Sequence, residues 1–206
     1  MWRVEKQSRI CYTFTKGVSN LKKIIDQLPA CGPDSEKIRQ WLEKYGQEAL
    51  LTRMEEGHFT AAGFIFNPQR TKTLMIYHNI FNTWAWTGGH ADGESDLLKV
   101  ALKEAEEETG AVCRPIDKEA CFADIIPVMA HTKRGKPVKE HVHLNLSYAL
   151  ECEEDAILRI KPDENSGVGW LDIATLAQHI APEDGHILAI YHRIIEKYSP
   201  VCLSEV

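Results

Sequence analysis

Between Glu104 and Glu108 four of the five residues are glutamates, and Glu104, Glu107 and Glu108 stand at i, i+3 and i+4. On a helix that spacing gathers three carboxylates on one side of the rod. Like charges held so close repel, and the helix is disfavoured unless something positive sits among them. Hard divalent cations with oxygen ligands, Mg²⁺ above all, match such a set and commonly bring phosphate substrates with them. The chemistry to expect is a metal-assisted reaction at phosphorus. The bland alternative is a solvated acidic helix, which an acidic run taken alone usually is.

The elements around the glutamates have their own punctuation. Gly88, Gly89 and Gly93 read as a glycine-rich turn whose backbone comes close to a ligand. Ser95 or Asp96 can cap a helix, and Gly110 suits its left-handed end. Within these limits Leu98, Ala101, Leu102, Ala105 and Thr109 make an apolar stripe, and Glu104, Glu107 and Glu108 fall in the adjacent arc. One face is core and its neighbour is a site.

This stretch resembles the Nudix box: Gly, five residues, Glu, seven residues, Arg-Glu, an aliphatic, any residue, Glu-Glu, any residue, Gly and an aliphatic. Gly89, Glu104, Ala105, Glu107, Glu108, Gly110 and Ala111 fall in register, whereas Ser95 stands where the first Glu belongs and Lys103 where Arg belongs. Glu94 is one residue out of register. Lysine keeps the charge of the family's arginine but lacks its planar fork. The flanking pattern extends the resemblance to roughly residues 58 to 200.

The resemblance implies an α/β/α sandwich around a mixed β-sheet, with the box as loop, helix and loop. It implies Mg²⁺, with Mn²⁺ as a substitute, held by Glu104 and Glu108 as direct ligands. Glu107 would be a third ligand or a hydrogen-bonding partner, the backbone carbonyl of Gly88 or Gly89 a further oxygen, and Lys103 the orienting cation. The implied reaction is attack of water on phosphorus in a small molecule where a nucleoside diphosphate is linked to another group. Glu164, in Pro162-Asp163-Glu164-Asn165, is the candidate general base, against an ordinary turn acid. His90 is placed to meet substrate phosphate, against a loop histidine facing solvent. A catalytically weak nucleotide-binding or sensor module is the alternative that Ser95 and Lys103 favour. Isopentenyl diphosphate isomerase shares the fold and metal use, but its expected catalytic cysteine has no obvious counterpart.

Two other features invite interpretation. His141 and His143, two apart on a strand face beside Glu140, suit metal ligands, but no third ligand has convincing spacing, so a sheet-surface or pocket-wall role is preferred over zinc. Trp84 and Trp86, on one side of an extended segment, fill the core or stack a base.

Further out, residues 1–56 have a helical rhythm, with Leu21, Ile24, Ile25 and Leu28 in one segment and Ile38, Trp41 and Leu42 in another, and read as a helical appendage to a domain over 57–206. Strands are expected over Phe59–Phe66 and Thr73–His78, joined by the turn at 67–70. Two more are expected over Ala120–Ala130 and Glu140–Leu150, joined by a polar loop over 131–139. A short helix near Leu171–His179 and a longer one after Pro182 follow.

Composition sets the outer bounds. A chain of 206 residues with 44% hydrophobic content can bury one good core with a small addition. No apolar run approaches the roughly 20 residues that span a bilayer, no signal-peptide pattern opens the chain, and no membrane partner is expected. Six cysteines without a C-x-x-C pair read as free thiols of a cytoplasmic protein. A net charge of −6 offers a duplex nucleic acid no attraction. Assembly is not legible in the residues, and a homodimer stays open.

Overall fold

The run Gly57–Phe66 contains no Asp, Glu, Lys or Arg, and it forms β1, buried at every position in the middle of the sheet. The structure is a computed structural model that describes residues 24–29, 32, 34–133 and 135–202. Strand β1 pairs in parallel along its whole length with β9 (His141–Glu151). Beyond β9 lie β6 (Phe122–Val128) and the short β5 (Arg114–Pro115), both antiparallel to it. On its other side β1 meets β2 (Lys72–His78) only at Ile65 with Leu74 and Phe66 with Thr73, and the two then diverge. The opening is filled by β3 (Thr83–Ala85) on β2 and β4 (Thr87–His90) on β1. Strand β10 (Asn165–Asp172) closes the far edge along β2.

Strand alternation divides this sheet's apolar residues between two faces. Phe59, Ala61, Ile65, Leu144, Leu146 and Leu150 pack against Leu97, Ala101 and Ala105 of α3 (Leu97–Thr109). The same core takes Ile24 and Leu28, Ile38 and Leu42 of α1 (Ser35–Tyr45), and Leu50 and Leu51 of α2 (Gln47–Leu51). On the opposite face Phe64, Phe66, Met75 and Ala149 meet Ile190, Tyr191, Ile194 and Ile195 of α4 (Gly185–Tyr198). The result is an α/β/α sandwich around a mixed sheet, the architecture expected from the sequence. Residues 1–23, including Leu21 of the first helical segment, lie outside the described residues, as do Ala30, Cys31 and Pro33. The other four cysteines, Cys113, Cys121, Cys152 and Cys202, are free. No helix among the described residues is long and apolar enough to cross a membrane.

Three segments differ from their sequence reading. Gly88 and Gly89 lie within strand β4 rather than in a turn. The polar segment 131–139 folds into a hairpin, β7 (His131–Lys133) with β8 (Lys136–Val138), because Gly135 at φ +74° makes the tight turn that short strands need. Leu171 ends a strand instead of starting a helix, and a 3₁₀ segment, Ile173–His179, follows it. The strand was hidden by Gly167 and Gly169, which carry no side chain to mark the alternation; a Cβ on Gly167 would stand tightly against Tyr77 Cβ, at 3.2 Å.

Candidate active site

The glycines of β4 are needed for clearance. A Cβ on Gly88 would stand 2.8 Å from the Ala61 carbonyl oxygen, and one on Gly89 would stand 2.5 Å from Cδ of Glu104. Strand β4 passes so close to the β1 backbone that only glycine fits at 88, and the bare Cα of Gly89 lets the Glu104 side chain lie against the strand. The turn itself comes later, at Asp92 (φ +46°) and Gly93 (φ +91°). It is clamped from the N-terminal segment: Gly93 N–H donates to the Leu51 carbonyl at 2.8 Å, Gln27 Nε2 donates to the Ser95 carbonyl at 2.8 Å, and Leu97 N–H donates to Gln27 Oε1 at 3.0 Å. Of the two candidate caps it is Asp96 that accepts the Lys99 N–H, at 3.4 Å.

The other end of α3 is closed as the sequence implies, with Gly110 at φ +77° and its N–H on the Glu106 carbonyl at 2.8 Å. The remaining end carbonyls are taken by a later loop, Arg159 N–H bonding Thr109 O at 2.8 Å and Asn165 Nδ2 bonding Glu108 O at 3.0 Å. Asn165 is fully buried, and its Oδ1 also accepts the Lys161 N–H at 3.2 Å. This side chain therefore fastens the loop carrying Lys161 and Glu164 to the glutamate helix. Asn165→Ala is expected to cost about 2–3 kcal/mol in urea unfolding, because it strands a buried carbonyl and a buried N–H. A loss under about half a kcal/mol would remove Asn165 from this role.

With both ends fixed, the glutamates have distinct surroundings. Glu108 is 3% exposed and accepts the Gly88 N–H at 3.0 Å. Burial pushes its pKa up to about 8; the Gly88 bond opposes that rise, the Glu104 and Glu164 charges add to it, and Lys161 works against it. Glu104 lies against Gly89 and bonds Lys103 Nζ at 3.0 Å. Lys103 reaches Glu107 as well, at 3.1 Å, so it acts as a point charge shared by two carboxylates where a guanidinium would grip one with two bonds. Glu107 is the most open of the three and is met from the other side by Lys161 Nζ at 3.3 Å. The Lys103 bond, helped by Lys161, holds Glu107 below the ordinary carboxylate range. Lys161 also bonds Glu164 at 2.9 Å. Burial disfavours the Lys161 charge, but Glu164, Glu107 and Glu104 outweigh it and raise its pKa.

The chain's own lysines thus answer Glu107 and Glu164, while Glu108 keeps a buried carboxyl that is neutral only by holding a proton. Glu104, Glu108 and Glu164 offer oxygen ligands alone, and the glycine backbone leaves a cradle for Glu104. Oxygen donors of this kind suit a hard divalent ion, whose charge would let Glu108 ionise, although no three carboxylates among the described residues bring their oxygens within 4.8 Å of one another as the structure stands.

The other sequence candidates are placed as follows. Ser95 contributes its backbone carbonyl, to Gln27. Glu94 bonds the Asp96 N–H at 3.0 Å and Lys99 Nζ at 2.6 Å, and so serves the start of α3. Trp86 packs edge-on against Tyr191 at 5.1 Å, and Trp84 against Tyr77 at 5.7 Å, both in the core. His90 is half-buried among histidines, its ring 5.0 Å from His58 and 5.1 Å from His143. Sequence reasoning passed over Gln27, Lys161, His58 and Arg53, the last bonded bidentately to Asp92 at 2.8 Å and within the field of Glu104 and Glu164. Lys161, three residues from Glu164, carried the one local signal among them.

A family model described as NUDIX domain matches residues 57–190. An m7GpppN-mRNA hydrolase of Xenopus laevis is 29% identical over 128 residues, 56% of this chain and 39% of that protein. A protein of Lactococcus lactis subsp. cremoris named a probable DHNTP pyrophosphohydrolase is 26% identical over 118 residues, 57% of this chain and 68% of that one. The chain thus spans about two fifths of the first relative's length. Among solved structures, a NUDIX-family hydrolase from Clostridium perfringens covers 68% of this chain and 97% of its own at 20% identity and a TM-score of 0.44. A C. elegans Ap4A hydrolase binary complex covers 68% and 98% at 15% identity, also with a TM-score of 0.44.

Proposed function

Since this chain belongs to the Nudix family, we propose that it is a Mg²⁺-dependent pyrophosphohydrolase of the cytoplasm. Its substrate is a small molecule in which a nucleoside diphosphate is linked to another group. The observation that carries this reading is Glu108, a carboxyl buried within the field of Glu104 and Glu164 and oriented by the Gly88 N–H, where a cation would favour its charged form. The activities named for two relatives, on m7GpppN-mRNA and on DHNTP, support a phosphoanhydride as the bond cleaved.

Glu104 and Glu108 are the residues to hold the ion. When bound, Mg²⁺ supplies neutralisation of phosphate oxygens and activation of a water. The residues of the chain do the remaining work. Gly88 N–H orients the Glu108 carboxylate, and the bare Cα of Gly89 lets Glu104 lie against the strand. Lys103 and Lys161 hold Glu107 and Glu164 at the edge of the site. Glu164 then takes the proton that the attacking water releases.

The test is a panel of nucleoside diphosphate derivatives, scored by phosphate released after phosphatase treatment. Turnover of at least one member is expected with Mg²⁺, none after chelation, and recovery when Mg²⁺ alone is returned. Failure of the whole panel together with tight nucleotide binding by calorimetry would replace this reading with the sensor module. One observation favours that second reading: Ser95, at the position of the first box glutamate, brings no carboxylate.

A further inference from the structure

We infer that His58, His90 and His143, with His141 at their edge, form a nitrogen-ligated site for a divalent ion of the zinc class, on the face of the sheet opposite the glutamates. None of these residues is near another in sequence except His141 and His143; the sheet assembles them. His58 and His143 are register partners on the parallel strands β1 and β9, and His90 pairs with Thr60, two residues on from His58 and on the same face. Gly89 turns toward Glu104, so its neighbour His90 leaves β4 on the other side.

The distances bring the ring nitrogens within reach of one ion. Ring nitrogens of His58, His90 and His143 all lie within 4.8 Å of one another. Nε2 of His141 and Nε2 of His143 are 3.3 Å apart. Two imidazole nitrogens on a tetrahedral zinc, at the usual Zn–N length, are separated by about 3.3 Å.

The protonation pattern also turns lone pairs inward. His58 Nδ1 lies 2.9 Å from the Met54 carbonyl, and His141 Nδ1 lies 2.9 Å from the Lys139 carbonyl. A carbonyl oxygen only accepts, so both Nδ1 atoms carry a proton, and the neutral form of each ring then presents its lone pair at Nε2. Backbone carbonyls bonded to the outer nitrogen are the usual support of metal-bound histidines. His58 is 5% exposed, and its Nε2 is buried without a hydrogen-bond partner among the described residues. Imidazole nitrogen selects zinc, cobalt, nickel or copper, whereas Mg²⁺ prefers the oxygens of Glu104 and Glu108. His90, His141 and His143 are only half-buried, so one side of the cluster is open to water or a ligand.

The test uses the full chain, stripped with chelator and titrated with Co²⁺ in excess Mg²⁺. Visible d–d absorption should saturate at one equivalent and be displaced by one equivalent of Zn²⁺. His58→Asn and His143→Asn should weaken Co²⁺ binding by more than the roughly 10–100-fold that loss of an outer-shell partner costs. His90→Asn, at a more exposed position, repeats the test where a buried substitution unfolds the protein. Glu104→Gln and Glu108→Gln should leave the band unchanged, so this result stands whether or not the protein hydrolyses any diphosphate. Absence of a stoichiometric band in the unaltered protein overturns the site, as does a band that survives the histidine substitutions or is lost with the glutamates.

Discussion

Glu108→Gln is expected to abolish turnover and yet to stabilise the metal-free protein at pH 8. The folded carboxyl titrates near 8 and the unfolded one near its ordinary 4.5. Between those values the folded state holds a proton that the unfolded state has released, so stability falls as pH rises through the window. By pH 8 the loss approaches about 4 kcal/mol, an order-of-magnitude figure. Glutamine keeps the acceptor for Gly88 N–H and has no charge to bury. Urea unfolding in chelator at pH 5 and pH 8 should therefore show the unaltered protein weakening with pH and the variant much less affected. Added Mg²⁺ should close the gap, because an ion that binds only the folded state stabilises it. Turnover in the variant should drop on the order of 10²–10³-fold. A variant less stable than the unaltered protein at pH 8 would remove Glu108 as a strained carboxyl.

Gly89→Ala should lower kcat/KM roughly 100-fold, the scale of loss that a displacement of about 1 Å at a reacting centre produces. The added methyl would fall 2.5 Å from Cδ and 2.7 Å from Oε1 of Glu104. That carboxylate is the far end of a flexible side chain, so it swings aside and the fold survives. Gly88→Ala makes the contrast, since its methyl would meet the Ala61 carbonyl oxygen at 2.8 Å, and backbone does not yield. The first substitution should therefore appear in kinetics with Tm nearly unchanged, and the second in Tm. Full activity in Gly89→Ala would show that Glu104 need not lie against β4.

What could be read from the residues was what short-range forces decide. The glutamate helix was legible because its cap at Asp96, its stop at Gly110 and its apolar stripe are all local, and each recurs in the structure. Strand β1 was legible because it is apolar nearly throughout. Contacts that depend on strand pairing were not. His58 stands just ahead of the strand expected over Phe59–Phe66, and only the register with His143 and the approach of His90 bring the imidazoles together. Gly88 and Gly89 read as a turn because glycine announces conformational freedom, whereas here it provides clearance. Lys161 joins the glutamates only because Asn165 ties its loop to the last turn of α3. Lys161, which meets Glu107 and Glu164, was therefore missed, although Lys103 and the carboxylate crowd were plain.

The amide of Gln27 has a wider implication. It gives and receives a bond at the start of the glutamate helix, and the aliphatic side chains around it share that helix's core. The cooperative unit thus reaches back before residue 57, where the family pattern begins. Substitutions at Gln27, Ile38, Leu42 or Leu50, far from the glutamates' own side chains, would reach them by loosening this helix, and more metal or more substrate would not restore it.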